Sequence, residues 1–267
     1  MAELKYLYGI IPTDELKQTP LPSFKGLDDQ HEWYPIAFDG IEAIVCDLEE
    51  SDYNESALKE KTSDVEWVHE KAFHHHEAVM KLHESYTVIP MKFATIYTSK
   101  ANLEETLTKH YQEMDGLLSW LKGKEEWNLK IYCDNDSLRE RTAAHNFTIE
   151  AKKKELEHMS PGRKYLEKRK LDRLIDQELE KDKEQHSSAI HDQLATYSVK
   201  TDIKKNWNKD VTGRTDEMCW NSVYLLENQQ VEEFLGKVKQ LQEEWKEAGF
   251  TLELTGPWPA YHFSKLK

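Results

Sequence analysis

Glycine is scarce, with ten in 267 residues, and none stands in the spaced runs that cradle phosphate. No P-loop, no Gly-rich strand-to-helix turn and no GxSxG elbow occurs. Phosphate-cradling chemistry and a small-molecule substrate or cofactor are not expected. Cysteine is scarcer still. Cys46, Cys133 and Cys219 make no CxxC pair and each lies in an apolar run typical of a strand, so buried reduced thiols and a cytoplasmic setting are expected. No apolar stretch approaches the roughly 18 residues of a membrane span, and the opening MAELKYLYGII carries charge where a signal peptide would be apolar. Positive charge is in deficit. Lys and Arg number 36 against 50 Asp and Glu, a formal net charge of −14 that disfavours DNA and anionic membranes as partners.

The apolar residues that are present arrange themselves as two mixed units. Leu4 to Ile11 reads as a buried strand closed by Pro12, which lacks an amide donor. Ile41 to Leu48 is a second strand led in by the turn pair Asp39-Gly40. Ser63 and Glu66 form a capping box for a helix to about Glu84, whose Val65, Val68, Ala72, Val79 and Leu82 recur as one stripe. Val88 to Tyr97 follows as a third strand, with Pro90 marking an edge or bulge. Asn102 and Glu105 cap an amphipathic helix through Leu103, Leu107, Met114, Leu118 and Leu121. A boundary after Gly123 leaves a mixed α+β domain over residues 1–124.

Residues 125–267 form the second expected domain. Leu129 to Asp134 is a strand, and a capping box at Ser137 and Glu140 opens a long charged helical region over 137–197, broken at Ser160-Pro161-Gly162. Its wholly polar stretch from Glu180 to Ser188 argues for a projecting helical hairpin. Trp220 to Glu227 is a strand. Asn228 caps a helix striped by Val231, Phe234, Leu235, Val238, Leu241 and Trp245 and stopped by Gly249. Phe250 to Thr255 is the last strand, before an aromatic tail over 256–267. This succession is the order of a ferredoxin-like fold with its first helix enlarged.

Three features invite a functional reading. His69, His76 and His83 share one side of a helix, but spacings of seven residues are too long for a common metal ion, and His76-Glu77 is followed by Met80 where HExxH has its second histidine. No metal or catalytic set is assigned; a metal-dependent enzyme built on His69 and His76 is the alternative. Between Lys152 and Arg173 nine basic residues face four acidic ones. Arg163, Lys164 and Arg169 therefore become candidates for contact with an acidic partner, and a nucleic-acid-binding module is a second alternative. In the tail, Trp258, Tyr261 and Phe263 either fold back or dock on another protein.

Four stretches in order, YLYGII (Tyr6 to Ile11), HEAVMKLHESYTVIPMKFATIY (His76 to Tyr97), SPGRKYLEKRK (Ser160 to Lys170) and GPWPAYHF (Gly256 to Phe263), resemble the gas vesicle protein F/L family. The family's strand usually reads PLRFGT, where this chain has Pro90-Met91-Lys92-Phe93-Ala94-Thr95. Lys92 keeps the charge without arginine's fork, and Ala94 implies that no positive φ is needed there. The resemblance implies two α+β domains, the second a modified ferredoxin-like fold, and no enzymatic activity. It further implies a chaperone-like or minor structural accessory role in gas vesicle assembly, in the cytoplasm and on the vesicle. Gas vesicle shell protein A and other accessory proteins are the implied partners. Lys92 and Phe93 join the candidate interaction residues on this ground.

Overall fold

The computed structural model describes residues 3–266. In chain order its elements are β1 (Glu3–Pro12), α1 (Thr13–Gln18), β2 (Tyr34–Phe38), β3 (Ile41–Glu49), α2 (Glu50–Tyr53), α3 (Glu55–Lys61), α4 (Val65–His83), β4 (Ile89–Pro90), β5 (Ile96–Tyr97) and α5 (Lys100–Leu121). They continue with β6 (Lys124–Cys133), α6 (Asn135–His145), α7 (Phe147–Glu157), α8 (Pro161–Ala195), β7 (Lys200–Ile203), α9 (Lys209–Thr212), β8 (Glu217–Glu227), α10 (Val231–Lys246) and β9 (Phe250–Trp258). The class is α+β with two sheets. One compact unit runs through Glu126 and is completed by the segment from Pro257 onward; the other is Trp127–Gly256. The tail thus belongs by contact to the first unit, not to the second as expected.

In the first unit β1 is the central strand. It pairs antiparallel with β3 from Glu3↔Glu49 to Pro12↔Ile41, and with β4 and β5 on its other side. Leu4 to Ile11 is buried throughout, and apart from Lys5, whose ammonium pairs with Asp47, the strand reads as an apolar run and not as alternation. A bulge lies between Leu7 and Gly9. A side chain at Gly9 would place its Cβ 2.8 Å from Val88 Cγ2, so glycine there permits the close approach of β4. Strand β2, which the sequence reading missed because Pro35 interrupts it, is the edge. Asp39 (φ 43°) and Gly40 (φ 99°) join β2 to β3 as a two-residue hairpin turn, which requires positive φ at both positions.

Several local expectations shift. Asp64, not Ser63, caps α4 through bonds from Glu66 N and Trp67 N, a carboxylate being a strong acceptor at the positive helix end. The buried face of α4 is Lys71, His75, Ala78, Val79 and Leu82, while Val65 is 80% exposed. Lys71 can be buried there because Asp29 and Glu70 hold its ammonium at 2.7 and 3.1 Å. Ser99 caps α5 in place of Asn102. The single strand expected over 88–97 is two short ones, separated by a turn in which Ala94 has φ 62°, contrary to the inference that positive φ was unnecessary. Thr95 N donates to Lys92 O across that turn.

The second unit's sheet runs in the order β7-β8-β6-β9, so Pro257 lies in an edge strand, where a missing amide costs least. The helical region breaks twice, because Asn146 ends α6 and its side chain caps α7. Asp134, not Ser137, caps α6. Helix α8 carries one buried row at four-residue spacing, Leu171, Ile175, Leu179, Lys183 and Ser187, continued by Ile190, His191 and Leu194. The polar stretch of α8 is therefore buried on one face. Lys183 occupies an apolar position of the row because Glu180, Glu217 and Asn135 surround its ammonium at 2.6, 3.2 and 3.3 Å. Ile149, Leu171 and Ile175 form a small core of their own between α7 and α8.

Cys133 and Cys219 are joined as a disulfide, with Cα atoms 6.3 Å apart. This corrects the expectation of three free thiols. The two lie 86 residues apart in sequence and are brought together only by the adjacency of β6 and β8. Cys46 is a buried free thiol.

Candidate functional site

The site is built around His75, at the middle of α4. Four-residue spacing places it on the buried face with Lys71 and Val79, 4% exposed and stacked on Tyr8 with ring centroids 5.7 Å apart. Its Nε2 lies 3.0 Å from the Met91 carbonyl and its Nδ1 2.8 Å from the Tyr6 hydroxyl. A carbonyl only accepts, so Nε2 carries the proton and Nδ1 accepts from Tyr6. The Tyr6 oxygen in turn accepts from the Ala94 amide at 3.2 Å. Burial pulls the His75 pKa down to about 4 and raises that of Tyr6, so both stay neutral near pH 7.

This chain of bonds fixes the Met91–Thr95 turn from beneath. On its outer side the turn lines a cleft of about 670 Å³ together with His75, His76, Pro90, Tyr261, Ser264, Lys265 and Leu266. The tail is anchored by Glu126, whose 2% exposed carboxylate accepts the amides of His262 (2.9 Å) and Phe263 (3.4 Å). His76 Nδ1 shares a 3.0 Å hydrogen bond with the Tyr261 hydroxyl and packs beside Trp258, centroids 5.6 Å apart. Met91, Phe93, Tyr261 and Leu266 make the walls largely apolar, and Lys92 and Lys265 are exposed and basic at the margin.

The sequence-derived residues distribute unevenly. Lys92, Phe93 and Tyr261 share this cleft; Trp258 buttresses His76; Phe263 is buried (7% exposed) and supports the tail from within. Arg163, Lys164 and Arg169 lie on α8 of the second unit and do not line it. There Arg169 lies over the Tyr165 ring (5.7 Å), while Lys152, Lys154 and Lys170 pair with Glu155, Glu150 and Glu167 at 2.8, 3.0 and 2.7 Å. Among the described residues, no group of three His, Cys, Asp or Glu side chains converges as a metal site. Sequence reasoning missed Tyr6, His75 and Glu126. The signal for the first was a tyrosine inside an otherwise apolar buried strand, since a buried hydroxyl requires a partner.

Residues 4–265 match the family described as "Gas vesicle synthesis protein GvpL/GvpF". The chain belongs to that family. It is 21% identical over 225 residues to gas vesicle protein L of a Streptomyces strain, covering 83% of this chain and 79% of the relative. To gas vesicle protein F1 of Halobacterium salinarum it is 22% identical over 263 residues, covering 98% and 93%. Its fold matches the crystal structures of GvpF from Anabaena (TM-score 0.75) and from Microcystis aeruginosa (TM-score 0.68), each 18% identical with both chains fully covered. In this GvpL/GvpF chain the His75-supported turn and the anchored tail carry two of the stretches that first suggested the family. Among the described residues no helix is long and apolar enough to cross a membrane.

Proposed function

We propose that this GvpL/GvpF chain is a non-enzymatic accessory factor of gas vesicle assembly that binds the small hydrophobic shell protein in the cleft of its first unit. Family membership supports the role in gas vesicle synthesis. The observation that carries the finer reading is the cleft itself, an apolar trough with lysines at its margin, preformed by neutral hydrogen bonds. A subunit that polymerises through apolar surface needs a highly charged handler to remain dispersed before assembly, and a chain of net charge −14 that carries an apolar trough meets that need. The charged helices α7 and α8, with Arg163, Lys164 and Arg169, contact other accessory proteins. The working compartment is the cytoplasm, at the vesicle surface. The strand order β7-β8-β6-β9, joined by helices after β6 and after β8, supports reading the second unit as a modified ferredoxin-like fold.

Co-purification with the shell protein tests the reading. Phe93→Ala combined with Tyr261→Ala is expected to weaken retention about tenfold or more, as truncation of two aromatic anchors does, with little change in thermal unfolding. Retention unchanged in that variant removes the cleft from the account. No retention of the wild-type chain refutes shell-protein binding altogether.

A further inference from the structure

In the second unit a recess of about 340 Å³, near the lower end for ligand sites, opens between side chains of α6, α8 and the junction of α10 with β9. Leu138, Ala248 and Phe250 are buried and give it an apolar lining. The rings of Trp245 and His186 lie along it with centroids 4.7 Å apart, each 5.8 Å from the Phe250 ring. Two opposite charges line the same recess without meeting. Among the described residues Arg141 on α6 has no ion pair or hydrogen bond, whereas Arg139, two positions earlier, is held by Asp176 at 2.9 Å. Asp182 on α8 accepts from the Thr142 hydroxyl through Oδ2 at 2.9 Å, and its Oδ1 has no partner. Thr142 is the sequence neighbour of Arg141, so both charges stand within the span of one small molecule. The Trp245 indole N–H beside them is enclosed and has no acceptor.

We infer that this recess binds a free α-amino acid with a large apolar side chain, its carboxylate on Arg141, its ammonium on Asp182 and its side chain against Leu138, Phe250 and Trp245. A ligand of one charge leaves one of the two protein charges without a partner as water is displaced, which is unfavourable. A dianion meets Asp182, and a dication meets Arg141. An α-amino acid carries both charges and the apolar group on one carbon, whereas a peptide terminus offers only one of the charges. The guanidinium takes the carboxylate as a bidentate pair. The bond from Thr142 fixes the Asp182 carboxylate and leaves Oδ1 to accept from the ammonium. The occupant is a ligand and not a substrate. Nothing in the sequence announces the site, because Arg141, Asp182 and Trp245 come from three different elements. It uses no residue of the first unit's cleft, so it stands or falls independently of the shell-protein reading.

Titration of the ¹⁵N-labelled full chain with L-phenylalanine and with L-leucine, followed by calorimetry and by the indole N–H resonances, provides the test. Trp245→Phe identifies the resonance of Trp245. At least one of the two amino acids is expected to bind with a dissociation constant of about 1 mM or lower and to shift that resonance. 3-Phenylpropionate, which lacks the ammonium, and phenethylamine, which lacks the carboxylate, should each bind about tenfold or more weakly than L-phenylalanine. Arg141→Met and Asp182→Asn should each weaken amino-acid binding about tenfold or more. Both variants should unfold close to the wild-type temperature, because Arg141 has no partner to lose and asparagine still accepts from Thr142. No binding of either amino acid at about 10 mM overturns the inference. So does binding that leaves the Trp245 resonance unmoved, equal binding of the three phenyl compounds, or binding indifferent to either substitution.

Discussion

His75 links the stability of the first unit to pH. Its folded pKa is depressed to about 4 from 6.5, chiefly by burial, so below pH 6.5 the unfolded chain takes up a proton that the folded chain refuses. The stabilisation is complete above pH 6.5 and is lost as pH falls toward 4, amounting to about 3 kcal/mol at most. Chemical denaturation at pH 7 and pH 5 is expected to show a smaller loss for His75→Gln than for wild type, although the variant is weaker at pH 7. Ala94 bears a separate cost. Its φ of 62° is unfavourable for any side chain, so Ala94→Gly is expected to stabilise by about 1 kcal/mol. Urea unfolding measures it, and a destabilised variant would show that the turn does not hold the left-handed conformation. The family's usual glycine pointed to this position; reading its replacement as absence of the need missed that hydrogen bonds from Ala94 N to Tyr6 and from Thr95 N to Lys92 hold the turn regardless.

The elements themselves were largely legible where periodicity is strong. The strands β1 and β3 and the helices α4, α5 and α10 follow from apolar spacing, whereas the caps fall on Asp64 and Ser99 in place of Ser63 and Asn102, and Asn228 does not cap α10. Rotation of α4 about its axis was not legible, because Lys71 and His75 look polar until their partners from Asp29, Tyr6 and Met91 are in place. The same holds for α8, whose buried row passes through Lys183 and Ser187. Replacing an enclosed ion pair by an apolar group of similar volume is often neutral, whereas deleting a partner leaves a charge uncompensated. Lys183→Met is therefore expected within about 1 kcal/mol of wild type, and Glu217→Ala to cost about 2 kcal/mol. Equal losses in thermal unfolding would refute this. In β1, Gly9→Ala is expected to cost about 2 kcal/mol by overpacking against Val88 and the Ile89 carbonyl.

Across the whole chain the disulfide makes the clearest demand. A non-reduced digest analysed by mass spectrometry is expected to contain Cys133 linked to Cys219. Cys46, its thiol pushed up to about 11 by burial, should alkylate only on unfolding. Three freely alkylated thiols in the native chain would refute both statements. By itself the sequence determined the mixed α+β class, the positions of most strands and helices, the acidic surface and four family stretches, because these depend on local periodicity and composition. Tertiary structure alone decided that the tail completes the first unit, that Lys92, Phe93 and Tyr261 share one cleft, and that Cys133 meets Cys219. Each of those requires groups far apart in the chain to meet, and no local signal encodes the partner of a buried polar group or of a cysteine.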